Sequence, residues 1–201
     1  MGHKLILIDN GHGINTPGKR SPDGKLQEWQ YNRTIAVAVL EHLAMRGIRA
    51  ELVVPEDTDI NLEERCRRIN EASLLFGTRN TTLLSIHVNA AGNGRGWMSA
   101  RGWCAYTFPG KTLADPFADC LYEAAEQMLP GQKIRKDMSD GDPDFESPFY
   151  ILRNTVCPAV LTENLFMDNQ EDCKFLLSAA GKRAIVGLHV RAICKYLKIY
   201  K

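Results

Sequence analysis

Leu5-Ile6-Leu7-Ile8-Asp9-Asn10-Gly11-His12-Gly13 opens on four consecutive apolar residues that stop abruptly at a turn-forming run carrying a histidine. A short apolar run closed by turn residues fits a strand buried on both faces, the kind found in parallel sheets. A loop rich in Gly, Pro and Ser follows to about Lys25. The pattern recurs at Leu83-Leu84-Ser85-Ile86-His87-Val88 and at Pro158 to Thr162, which leads straight into Glu163-Asn164.

Between these runs the period changes from that of strands to that of helices. From Glu28 to Arg46, Tyr31, Ile35, Val39 and Leu43 form one stripe, and Gly47 supplies the stop. A strand is predicted at Ile48 to Val54. Asn61 then reads as an N-cap, with Glu64 three residues on, for a helix carrying Leu62, Cys66, Ile69 and Phe76. Further on, Asn89 to Arg101 reads as loop, Trp103 to Phe108 as strand and Leu113 to Leu129 as helix. Pro130 to Pro148 reads as a polar acidic loop, Phe149 to Leu152 as a short strand, and the stretch after Glu163 as helical, with Ile185, Leu188, Ala192 and Tyr196 on one stripe. The fold class that follows is α/β: a single domain over 1–201, with a twisted, mainly parallel central sheet flanked by helices on both faces.

Composition narrows the function. Twenty-five Lys and Arg against 24 Asp and Glu leave a formal charge of +1 in 201 residues, too little to attract nucleic acid or anionic lipid at long range. No apolar stretch approaches the roughly 20 residues of a membrane span, and no export signal is read. The expectation is synthesis in the cytoplasm and action elsewhere. The six cysteines never fall in a C-x-x-C spacing and read as small buried hydrophobes with free thiols.

His12, His87 and Glu163 each come at or just after the end of an apolar run. In open parallel sheets the ligand site lies outside the carboxyl ends of the strands, so residues there converge although distant in sequence. Glu28, at a helix start, is expected at the same edge. Two histidines and a carboxylate form a common catalytic zinc set, and three protein ligands leave a fourth position for water. A further carboxylate would then shuttle the proton. Taken singly, each histidine is a weak signal. The glycines on both sides of His12 strengthen it, because they permit close backbone approach.

The chain resembles the type-3 family of zinc-dependent N-acetylmuramoyl-L-alanine amidases. The marks are Ile8-Asp9-Asn10-Gly11-His12-Gly13, Glu28 at the helix start, Ser85-Ile86-His87-Val88-Asn89-Ala90, and Pro158-Ala159-Val160-Leu161-Thr162-Glu163. Leu62, Arg65, Asn70 and Ile151-Leu152-Arg153 add smaller matches. The resemblance implies His12, Glu28 and His87 as ligands of one zinc ion per chain, Glu163 as the catalytic carboxylate, and peptidoglycan or a muropeptide as substrate. Such an enzyme is a cell-wall amidase or a phage endolysin domain, released at lysis or exported. Asn89 and Arg153, inside or beside these motifs, are expected to meet substrate. The sequence departs from the family at Asn10, where Pro is frequent, and at Asn164-Leu165-Phe166, where glycine is more usual. The competing readings are a wall-binding domain without turnover and a zinc peptidase or deacetylase.

Other signals carry less. Asp9 is expected either to orient a ligand histidine, since such a residue usually donates its second ring proton to a carboxylate or carbonyl, or simply to cap the turn. His42 and His189 are read as core-edge histidines and His3 as exposed. The acidic residues Asp140, Asp142, Asp144 and Glu146 lack calcium-loop spacing and read as solvated. Gly92-Asn93-Gly94-Arg95-Gly96 reads as the rim of a groove. No Gly-x-Ser-x-Gly elbow points to a serine nucleophile.

Overall fold

The structure, a computed structural model, describes residues 4–198. His3 lies outside the described residues. Strand β1 (Leu5–Asn10) leads to α1 (Glu28–Ala44), β2 (Arg49–Leu52), α2 (Leu62–Phe76), β3 (Thr81–Asn89), β4 (Cys104–Thr107) and α3 (Asp115–Met128). The chain continues through β5 (Phe145–Glu146), α4 (Tyr150–Arg153), β6 (Ala159–Phe166), α5 (Gln170–Leu177) and α6 (Ala179–Tyr196). The six strands form one sheet in the order β2-β1-β3-β6-β4-β5. It is parallel except where β4 runs antiparallel to β6.

Alternation along the strands divides the core in two. Ile6, Ile8, Leu84, Ile86 and Val160 point to one face, where they pack with α1, α3, α5 and α6. Leu5, Leu7, Leu83 and Leu161 point to the other and pack with α2 and α4. The central strands β1, β3 and β6 are thus covered on both sides, which is why they read as near-continuous apolar runs rather than alternating ones. Edge strand β2, exposed at every second residue, shows the alternation instead. Asn61 caps α2 by accepting a hydrogen bond from the Glu64 backbone N–H at 2.8 Å.

Two expectations are corrected. Phe149 to Leu152 is not a strand: the Arg153 and Asn154 N–H groups donate to the carbonyls of Phe149 and Tyr150, closing the turn α4. A four-residue apolar run is too short for its period to separate helix from strand. Strand β6 also runs past Glu163 to Phe166, so Glu163 projects from within the strand. Within that extension Leu165 takes φ 66°, the left-handed region that glycine favours. The conformation costs about 1–2 kcal/mol, and full burial of the Leu165 side chain offsets it by about 1.5–3 kcal/mol.

The acidic loop is not solvated throughout either. Asp144 is buried and accepts a hydrogen bond from Thr107 Oγ1 at 2.6 Å, and burial beside Asp142 pushes its carboxyl well above the usual range. The loop also contributes β5, which pairs with β4. His42 is exposed on α1, because the stripe of α1 that faces the core runs through Tyr31, Ile35, Val39 and Leu43 instead. His189 is fully buried: its Nδ1–H donates to the Ile185 carbonyl at 2.8 Å and its Nε2 accepts from Thr162 Oγ1 at 3.0 Å. Five of the six cysteines are buried, Cys120 being half-buried. No helix among the described residues is long and apolar enough to cross a membrane.

Candidate metal centre

Strand β1 delivers the chain to Gly11, whose N–H donates to the Ile86 carbonyl of β3 at 3.1 Å. This contact presses the turn against His87. A Cβ at Gly11 would stand 2.1 Å from His87 Cε1, and one at Gly13 would stand 2.0 Å from the Asp59 backbone nitrogen. Both glycines therefore exist for close approach, as their placement suggests. Between them His12 adopts φ 65°, an uncommon conformation for a residue with a side chain. Its carbonyl accepts a hydrogen bond from Arg33 Nη1 at 2.8 Å, which ties the turn to α1.

Glu28 is the first residue of α1 and is almost wholly buried. Its Oε1 lies 3.2 Å from His87 Nδ1 and accepts the Val88 N–H at 3.1 Å, while Oε2 lies 3.3 Å from His12 Nε2. One carboxylate thus faces both imidazoles. Burial pushes the Glu28 carboxyl up, but the hydrogen bonds and charge of His12 and His87 outweigh it and hold the group far below the usual carboxylate range. His87 in turn is raised: burial lowers it, and Glu28 more than compensates.

One ligand atom from each of His12, Glu28 and His87 falls within 4.8 Å of the other two. Tetrahedral zinc with bonds of about 2.0–2.1 Å separates its ligand atoms by about 3.4 Å, close to the Glu28–histidine spacings. Glu28 Oε2 is buried with only the His12 ring nitrogen beside it, at 3.3 Å and outside good hydrogen-bond geometry, a poorly satisfied state for a carboxylate oxygen that a divalent cation would relieve. The donor set, its spacing and this oxygen all fit a metal ion.

Glu163 of β6 is the register partner of His87 on β3. Burial pushes its carboxyl up to about 7; His87 opposes this and the charge of Glu28 adds to it. Its Oε2 is buried without a donor. His12, His87 and Glu163 share a cleft of about 380 Å³ with Lys19, Phe149 and Tyr150. A larger groove, about 500 Å³, lies between α1 and α6 and has neither a carboxylate nor a histidine pair in its lining.

Asp9 does not orient a histidine. Its oxygens accept from Arg65 Nη1 and Ser85 Oγ, both at 2.6 Å, so the buried carboxylate is spent on the buried guanidinium. Arg65 also donates to the carbonyls of Asn10 at 3.0 Å and Ile60 at 2.7 Å and to Asp59 Oδ1 at 2.8 Å. It binds β1, its turn and the start of α2 into one unit. Asn89 and Arg153 do not line the cleft: Asn89 Oδ1 accepts its neighbour's N–H, and Arg153 is exposed beside a separate hollow. Lys19, which the sequence reading passed over, does line it. A lysine within a loop of Gly, Pro and Ser carries no periodic signal.

Asn164, one of the departures from the resembled family, is fully buried and holds the site from behind. Its Nδ2 donates to the His87 carbonyl and its Oδ1 accepts the Trp103 indole N–H, each at 3.0 Å.

The chain is 28% identical to the N-acetylmuramoyl-L-alanine amidase CwlM of Bacillus licheniformis over 199 residues, spanning 98% of this chain and 70% of that one. It is 28% identical to the endolysin of Bacillus phage SPP1 over 203 residues, 98% of this chain and 68% of that one. The catalytic domain of CwlV, an N-acetylmuramoyl-L-alanine amidase from Bacillus (Paenibacillus) polymyxa var. colistinus, has the same fold, with a TM-score of 0.80 at 23% identity over 98% of this chain and 99% of that domain. A family model described as N-acetylmuramoyl-L-alanine amidase, Amidase_3, matches residues 6–195, and the chain belongs to that family of enzymes.

Proposed function

We propose that the chain hydrolyses the amide bond between the lactyl group of N-acetylmuramic acid and L-alanine in bacterial peptidoglycan, with one zinc ion held by His12, Glu28 and His87 and with Glu163 as the proton-transfer group. The reading rests on one observation above all: a single buried carboxylate, Glu28, faces two imidazoles at 3.2 and 3.3 Å, beside a second carboxylate in register with His87. Zinc bound there supplies Lewis acidity, polarising the scissile carbonyl and lowering the pKa of water. Glu163 accepts the proton of the attacking water and returns it to the departing amine, a task for a carboxylate within hydrogen-bond reach of both. Phe149 and Tyr150 wall the cleft. Residues 1–201 act as one catalytic unit, and the site of action is the cell wall.

Product analysis on purified peptidoglycan with zinc-supplemented enzyme tests the reading. New L-alanine amines without new reducing ends are expected. Reducing ends would indicate a glycosidase, acetate a deacetylase, amines from other peptide bonds a peptidase, and co-sedimentation with intact walls a binding domain. Glu163→Gln should keep its zinc and its fold and lose about 10²–10⁴-fold in turnover; near-normal turnover would remove Glu163 from the mechanism.

A further inference from the structure

Among the described residues, five arginines are buried or half-buried: Arg33, Arg65, Arg68, Arg101 and Arg135. The first four each reach a carboxylate or a backbone carbonyl. Arg135 reaches neither: its contact is Nη1 to Cys104 Sγ at 3.6 Å, a weak acceptor. Half-buried and without an oxygen partner, this guanidinium keeps donors open to a ligand.

The surrounding structure holds Arg135 in place. Its N–H donates to the Trp103 carbonyl at 2.8 Å, and the Trp103 N–H donates to Lys133 at 2.9 Å, fastening the segment beside β4. Gly102, at φ 114°, leaves the room, since a Cβ there would stand 2.8 Å from the Lys133 carbonyl oxygen and 3.0 Å from Arg135 Cγ. The guanidinium carbon lies 5.3 Å from the ring centre of Phe145 and 5.3 Å from that of Phe166, within cation–π range of both.

This clamp sits beside the catalytic cleft, whose lining does not include Arg135 itself. Cys104 is the register partner of Glu163 across β4 and β6, so the two share a sheet face about 4.8 Å apart. The positive charge of Arg135 acts on Glu163, Cys104 and Tyr106. An aromatic wall links the two places, because Phe149 in the cleft packs on Tyr106 at 5.0 Å and Tyr106 on Phe145 at 5.5 Å.

We infer that Arg135 is a substrate-binding residue that recognises a free carboxylate on the peptide, close to the scissile bond. The inference rests on the proposed amide hydrolysis. In a muramoyl peptide the lactyl carboxyl is consumed in the scissile amide and the N-acetylated sugar is uncharged, so the anion near the bond belongs to the peptide. A planar guanidinium with a donor edge left free matches a carboxylate in shape and charge.

Two synthetic L-alanyl peptides, identical except that the carboxylate of the second residue is free in one and a carboxamide in the other, test this by calorimetry on the zinc-loaded enzyme. The free acid should bind about 10- to 100-fold more tightly, the range for one hydrogen bond to a charged group. Arg135→Gln should abolish that preference with zinc content and melting temperature unchanged, and Arg135→Lys should restore only part of it. No preference in the native enzyme, or an equal preference in Arg135→Gln, overturns the inference. The matching N-acetylmuramoyl peptides should show the same preference in KM, whereas an equal fall in kcat on both would assign Arg135 to the chemistry instead. Peptide discrimination without hydrolysis of muramoyl peptides or peptidoglycan would refute the proposed function and leave the recognition intact.

Discussion

Gly11→Ala is the smallest change that should empty the metal centre. The added Cβ would stand 2.1 Å from His87 Cε1 and 2.5 Å from both ring nitrogens, where ordinary contact begins at 3.4 Å. The backbone at Gly11 cannot easily move away: its N–H is bonded to Ile86 and its carbonyl accepts from Asn32 Nδ2 at 3.2 Å. The imidazole must therefore retreat by about 1.3 Å, whereas metal–ligand distances tolerate about 0.2 Å. His87 is then lost as a ligand, and zinc affinity should fall by more than the roughly 100-fold that follows loss of an outer partner. Overpacking should lower stability by only about 1–3 kcal/mol, so the variant should fold. Gly96→Ala, which meets open space, is the control. Competition with a chromophoric chelator gives zinc affinity, and urea unfolding gives stability. Native-like affinity in a folded Gly11→Ala would refute the packing argument.

Two further expectations concern stability. Burial lowers His189 to a pKa of about 4 from 6.5, so the unfolded chain takes up the proton first as pH falls and the native state loses stability between pH 6.5 and 4, by about 3 kcal/mol at pH 4. Raised carboxyls such as Asp144 act with opposite sign, so the quantity to measure is the native-minus-His189→Gln difference in urea unfolding free energy, which should shift by that amount; parallel pH curves would contradict it. Arg65→Met strands the buried Asp9 carboxylate and should cost about 3–5 kcal/mol, while the double variant with Asp9→Asn should recover part of the loss; a cost under about 1 kcal/mol would show that Arg65 does not hold the β1 turn.

The sheet was legible because β1, β3 and β6 are buried on both faces and so appear as uninterrupted apolar runs, with His12 and His87 beside their ends. Glu28 was legible through its place at a helix start, and the two glycines around His12 through their spacing. The four-residue helix α4 was not, because Phe149 to Leu152 gives no period. The partner of Asp9 was not, because Arg65 lies 56 positions away and only the packing of α2 on β1 brings the two together. Arg135 was hidden in an acidic loop without a motif, and its position depends on β4, Phe145 and Phe166 meeting at the edge of the sheet.

Hydrolysis by this chain depends most on His12, Glu28 and His87 holding a functional zinc ion. Elemental analysis of the purified protein, paired with peptidoglycan hydrolysis before and after chelation, tests this directly. About one zinc per chain is expected, with activity that chelation abolishes and zinc restores, and loss of most metal in His87→Ala but not in His42→Ala. A metal-free protein whose hydrolysis is indifferent to chelation would contradict it.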